Sequence, residues 1–87
     1  MRQHSLAEPV SVLLLYDHTT GEVRPWRLRW NGEAHTVRTV GLHHTYRRGR
    51  VLIHVYGVVA ASYYYRLELN TETLQWTLEE VSDGLPE

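Results

Sequence analysis

The sequence predicts an all-β fold: a single small antiparallel meander of about six strands, strongly curved or closed into a barrel. Three observations predict it. Apolar and polar residues alternate nearly throughout, which is the period-two signature of strands. Short turn signals such as Asn31-Gly32 and Gly49 separate the alternating segments. The chain has 87 residues and no internal repeat, enough for one domain with a small core and no more. That domain spans residues 1–87, with an ordered core over about 10–81 and short flexible tails at both ends.

The first strand, Val10 to Tyr16, is nearly all apolar, as expected of a strand covered on both faces. Ser5 to Glu8 ahead of it has room for one helical turn at most. Asp17 to Gly21 is turn chemistry, with Gly21 suited to positive φ. The second strand, about Glu22 to Trp30, sets Trp26, Leu28 and Trp30 on one face and Arg27 and Arg29 on the other. Pro25 cannot donate to a ladder, so this strand begins at an edge or a bulge. Asn31-Gly32 then predicts a tight type I′ hairpin. The return strand, Ala34 to Tyr46, changes apolar parity between Val37 and Val40, which requires a bulge or bend, with Gly41 beside it.

After the polar tip Tyr46 to Arg50 comes a fourth strand, Val51 to about Val59. A fifth, Ser62 to Leu69, puts Tyr63, Tyr65, Leu67 and Leu69 inward. Asn70 to Thr73 makes a hairpin loop into a sixth strand in which Leu74, Trp76 and Leu78 alternate with polar residues. Ser82 to Glu87 reads as a frayed end. Trp26, Trp30 and Trp76 are the large rings expected to fill the core.

Composition excludes more than it selects. With no cysteine there is no disulfide framework, thiolate zinc site or cysteine nucleophile, and a reducing, cytoplasmic setting is the expectation. No apolar run approaches the ~20 residues of a membrane-spanning helix. The net charge of -1 is a sum of opposites. Residues 1–50 hold eight arginines against four carboxylates, +4, and residues 51–87 hold Arg66 against six, -5. A basic front and an acidic back suit association with a partner or a second copy.

The order Pro25-Trp26-Arg27-Leu28-Arg29-Trp30-Asn31-Gly32, His35-Thr36-Val37, Tyr65-Arg66-Leu67 and Trp76-Thr77-Leu78 resembles a family of short bacterial proteins of unknown function, often encoded near translesion DNA polymerase genes. The likeness spans about residues 25–80 and lies mostly at framework positions. It implies a small β fold and a link to DNA damage tolerance, and it assigns no catalytic residue.

Six histidines raise the question of a metal, with His35, His43 and His54 the candidates for a shared face. His43 and His44 are adjacent and point to opposite sides of a strand. No glycine-flanked serine elbow or phosphate-binding glycine loop is present, so no catalytic residue and no cofactor are assigned; His43, His44 and His54 are the residues an enzyme reading would use. The expected function is a non-enzymatic module acting by protein association or self-association, with Tyr64 and Arg66 as interaction residues. The alternative is a single-stranded nucleic-acid binding accessory built on Arg27, Arg29, Arg47, Arg48, Arg50, Tyr46 and Tyr64, since guanidinium groups hold phosphates and aromatic rings stack bases.

Overall fold

The computed structural model describes residues 3–83, with side chains from residue 6. Seven strands run in chain order: β1 (Gln3–Pro9), β2 (Ser11–Asp17), β3 (Glu22–Trp30), β4 (Glu33–Arg48), β5 (Val51–Ala60), β6 (Tyr63–Asn70) and β7 (Trp76–Ser82). All pair antiparallel in one sheet of order β1-β7-β6-β5-β4-β3-β2.

The meander therefore has seven strands, one more than the pattern suggests. The segment expected to be a loose start is β1, paired with β7 from Gln3 opposite Ser82 to Pro9 opposite Thr77. Ser82, expected to fray, is buried at the end of β7; the remaining tail expectation, 84–87, lies outside the described residues, as do residues 1 and 2. Among the described residues no helix is long and apolar enough to cross a membrane.

Turn chemistry sets the registers. Asn31 and Gly32 both take positive φ, 57° and 82°, the type I′ geometry whose twist matches that of the flanking strands. Gly21 has φ 77° and its N–H donates to the Asp17 carbonyl at 2.7 Å, closing the β2–β3 loop. Leu74 does the same for the β6–β7 loop, donating to the Asn70 carbonyl at 2.7 Å with φ 64°. That left-handed position takes Leu74 out of the expected sixth strand, which begins only at Trp76.

Bulges explain where the faces change. In β3 the register passes from Arg27 opposite Leu13 to Pro25 opposite Leu14, leaving Trp26 without a partner. Pro25 is buried and Trp26 is 48% exposed, so the bulge that proline requires has turned an expected core ring outward. Trp30 and Trp76 do pack against the core. In β4 the register shifts twice, at Arg38 and at Gly41, which is the parity change between Val37 and Val40.

Leu28, Val58, Leu67 and Leu78 are almost wholly buried and share one cluster with Tyr56 and Val81; fully burying each such aliphatic chain is worth about 1.5–3 kcal/mol. β5 is the strand covered on both faces. Its inward Tyr56 and Val58 belong to the main cluster, and Ile53 and Val55 are buried on the other side. Tyr65 is buried as expected, and Tyr63 is 41% exposed.

The sheet is open. β1 stands at one end of its order and β2 at the other, and among the described residues no ladder joins them. The two are nevertheless consecutive, separated by Val10 alone. Val10 N–H donates to the Trp76 carbonyl of β7, and the next residue, Ser11, pairs with Arg29 of β3. The two ends of the sheet therefore meet at this one corner.

Candidate functional site

Two features stand out: a fork between β3 and β4, and the outer edge of β2. β3 and β4 pair only from Arg27–Trp30 to Glu33–Thr36. Beyond Thr36 the two bulges turn β4 away, and it pairs with β5 alone. The first half of β3 is thus parted from β4, and a groove of about 780 Å³ opens between them, lined by Leu14, Val23, Arg24, Val40, His43, His54 and Tyr56 among others.

Polar groups in the fork are tied to one another. The Tyr56 hydroxyl reaches across to the Val23 carbonyl at 3.4 Å. His43 lies flat on the Tyr56 ring, centroids 4.2 Å apart and planes within 5°. Its Nε2 stands 2.9 Å from His54 Nδ1, so one imidazole donates to the other and one nitrogen must be unprotonated. Partial burial, then the facing His54 and neighbouring His44, lower the His43 pKa from its ordinary value. The pair bridges β4 and β5 on the groove floor.

The expected trio is divided. His43 and His54 come together, whereas His35 lies against Tyr65, at 6.4 Å between centroids, with Glu33 3.5 Å away. Among the described residues no three of His, Cys, Asp and Glu are grouped to hold a metal.

β2 is the second feature, and it corrects the sequence reading. Its apolar run was expected to be covered on both faces; instead it forms the end of the sheet. Leu13, Leu14, Leu15 and Tyr16 are 56%, 43%, 37% and 63% exposed. Leu14 and Tyr16 share a face with Val12 and open onto the groove side, while Leu13 and Leu15 point the other way. On β3 the exposed Val23 and Trp26 extend the patch. Nothing in the residue types separates such a run from a central strand, and only its place in the strand order does.

The five arginines expected to hold nucleic acid divide into two groups. Arg27 pairs with Thr36, and Arg47 lies eleven residues further along β4, beyond the bulges at Arg38 and Gly41. Arg27 donates to Thr36 Oγ1 at 3.1 Å, and Arg29 is exposed. At the other group, Arg47 donates to the Arg50 carbonyl. Arg48 donates to Glu68 Oε1 at 3.0 Å and to the Tyr46 hydroxyl, and Tyr46 donates to Glu68 Oε2 at 3.0 Å. Tyr46 is the cross-strand neighbour of Ile53 and Glu68 that of Val55, so this network roofs the outer face of β5. Burial and then Glu68 raise the Tyr46 pKa.

Tyr64 is half-buried, its ring laid over Gly57, where an added Cβ would meet its hydroxyl and the Leu42 side chain. Gly57 is therefore a mid-strand seat for an aromatic ring. Arg66 pairs with Glu80 at 3.6 Å. The chain matches none of the family models, curated proteins or solved structures with which it was compared.

Proposed function

We propose that this chain is a non-enzymatic β module that works by association with protein, through the β2–β3 hairpin. The observation that carries this is the exposed apolar run Leu13 to Tyr16 on a sheet edge left unpaired among the described residues. An edge strand offers a row of free N–H and C=O groups, and natural sheets blunt such edges with charge, proline or bulges unless they are used. Contiguous exposed apolar surface has the same meaning.

The rest of the molecule supports the reading. The fork's imidazoles and phenol are engaged in bridging β3, β4 and β5, which is a structural use. The five arginines of the nucleic-acid alternative lie in two groups, one of them partly committed to Glu68, and Arg38 between them donates to the Ala61 carbonyl, where a nucleic-acid platform wants a continuous stripe of free guanidinium groups. The reading also takes the sheet as half-closed, supported by the single-residue link at Val10 and by Trp30 Nε1 donating to Glu8 Oε1 at 3.0 Å across that corner.

A photo-crosslinking residue at position 15, introduced into the protein in its native cell, tests the proposal. A discrete adduct from position 15, absent when the same residue stands at exposed Leu74 in the β6–β7 loop, is the expected result. No adduct from position 15 overturns it.

A further inference from the structure

We infer that the occupant of the β2 edge is a second copy of this chain, β2 pairing antiparallel with its equivalent about Leu14. The inference rests on the association reading above and names its partner.

The two edges of the sheet are unlike. β1 ends in Glu8 and Pro9, a charge and a residue that cannot donate, both of which discourage pairing. β2, Ser-Val-Leu-Leu-Leu-Tyr-Asp, has neither until its last residue. Two copies joined edge to edge in antiparallel fashion are related by a two-fold axis normal to the sheet. Residues facing each other must lie on the same side of the sheet, and side chains alternate, so the axis has to fall on a residue rather than between two.

Leu14 is the middle of the seven. Centring there sets Leu14 against itself, Leu13 against Leu15 of the second copy, Val12 against Tyr16 and Ser11 against Asp17. Every central pair is apolar, and β-branched or aliphatic residues against an aromatic ring make favourable cross-strand pairs.

Charge selects the same centre. The hairpin has an acidic end, where Asp17 pairs with Glu22, and a basic end, where Arg29 pairs with Ser11. In the proposed register Arg29, Ser11, then Asp17 and Glu22 of the second copy form one row across four strands on one face. The row occurs twice by symmetry, placing each basic end beside an acidic one. Moving the centre one residue to Leu15 sets Asp17 against Leu13, in the row of Arg27, whose guanidinium already donates to Thr36, and moving it to Leu13 sets Asp17 against Pro9; only the Leu14 centre puts the carboxylate in the row of Arg29. Hydrogen bonds from Thr19 lower the Asp17 pKa, which keeps that carboxylate ionised in the row.

The absence of cysteine from the whole chain makes the test direct. Sedimentation equilibrium of the full chain over a range of concentrations should show a doubling from 10.2 kDa. A Leu14→Cys chain under mild oxidation should form a disulfide dimer, because directly opposed antiparallel residues lie within the Cα separation a disulfide spans. Leu74→Cys should not. The double variant L13E/L15E should be monomeric, and L13K/L15E, in which each lysine meets a glutamate of the other copy, should dimerise again; all four positions are exposed or half-exposed, and retained thermal unfolding shows that the fold is kept.

A wild-type monomer at every concentration overturns the second copy as occupant, while the association reading is decided separately by the position-15 adduct. A wild-type dimer in which Leu14→Cys crosslinks no faster than Leu74→Cys, or which survives L13E/L15E unchanged, places the interface elsewhere and overturns the proposed pairing.

Discussion

The β2–β3 and β6–β7 hairpins are closed by loops of one design and have opposite fates. In each loop a carboxylate or amide residue opens the turn, Asp17 or Asn70, and its carbonyl accepts from the residue four further on, Gly21 or Leu74, at 2.7 Å. Its side-chain oxygen caps the turn: Asp17 Oδ1 accepts from Thr19 N–H, and Asn70 Oδ1 from Glu72 and Thr73 N–H. β6–β7 is flanked by β5 on one side and β1 on the other, and its Leu67 and Leu78 are fully buried. β2–β3 has a neighbour on one side only, and its Leu13 to Tyr16 remain in water. Apolar content and turn chemistry form a hairpin, and flanking strands decide whether its leucines become core or surface for association.

The comparison is broken most severely by truncating one leucine in each hairpin. Leu67→Ala should lower stability by about 2–5 kcal/mol, the transfer loss plus the cavity left among packed neighbours. Leu13→Ala, measured at a dilution where the chain is monomeric, should change it by about 0.5 kcal/mol or less. Denaturant midpoints at constant slope measure both. Equal losses would mean that β2 is covered in the monomer. The loops provide the next contrast. Leu74 holds a left-handed conformation that glycine adopts freely, and its side chain is 70% exposed, so Leu74→Gly should stabilise by about 0.5–1 kcal/mol. Gly21→Leu, with nothing within 4 Å of an added Cβ, should lose about 1–2 kcal/mol from backbone strain alone. Thermal midpoints moving in opposite directions confirm that the left-handed position carries the strain in both loops.

Much of the fold is legible in the residues because antiparallel pairing is local. Asn31-Gly32, Pro25 and the change between Val37 and Val40 each dictate a turn or bulge within a few residues, and each is found. What the residues conceal is lateral order. β1 carries no alternating pattern, since it is held by β7 some seventy residues away. β2 and β5 are both strongly apolar, yet one is the edge and the other the doubly covered strand. Trp26 illustrates the same limit at short range: the proline correctly implies a bulge, but which ring the bulge expels depends on the register with Leu13 and Leu14. The candidate site was correspondingly hidden. The His43–His54 bridge depends on the β4–β5 register, which sets His43 opposite Tyr56, and the association edge depends on strand order.

Acid acts with opposite sign on the fork beside the β2–β3 hairpin and on the β6–β7 hairpin. His43, whose ring stacks on the Tyr56 that bridges to β3, has its pKa lowered by burial first and by His54 next. Below the ordinary histidine value of 6.5 the unfolded chain therefore takes up a proton that the folded chain refuses, and stability falls as pH drops. Glu79 on β7 behaves oppositely, because burial first and Glu68 next raise its pKa above 4.5. The folded chain there holds the proton more tightly, and stability recovers as pH falls through that window. The thermal midpoint of the wild type should thus decline from pH 7 towards 5, with a shallower slope in His43→Gln, and decline more steeply below 5 in Glu79→Gln than in the wild type. An unchanged slope in His43→Gln would show that the imidazole bridge carries no proton linkage, leaving the Tyr56 hydroxyl to hold the fork alone.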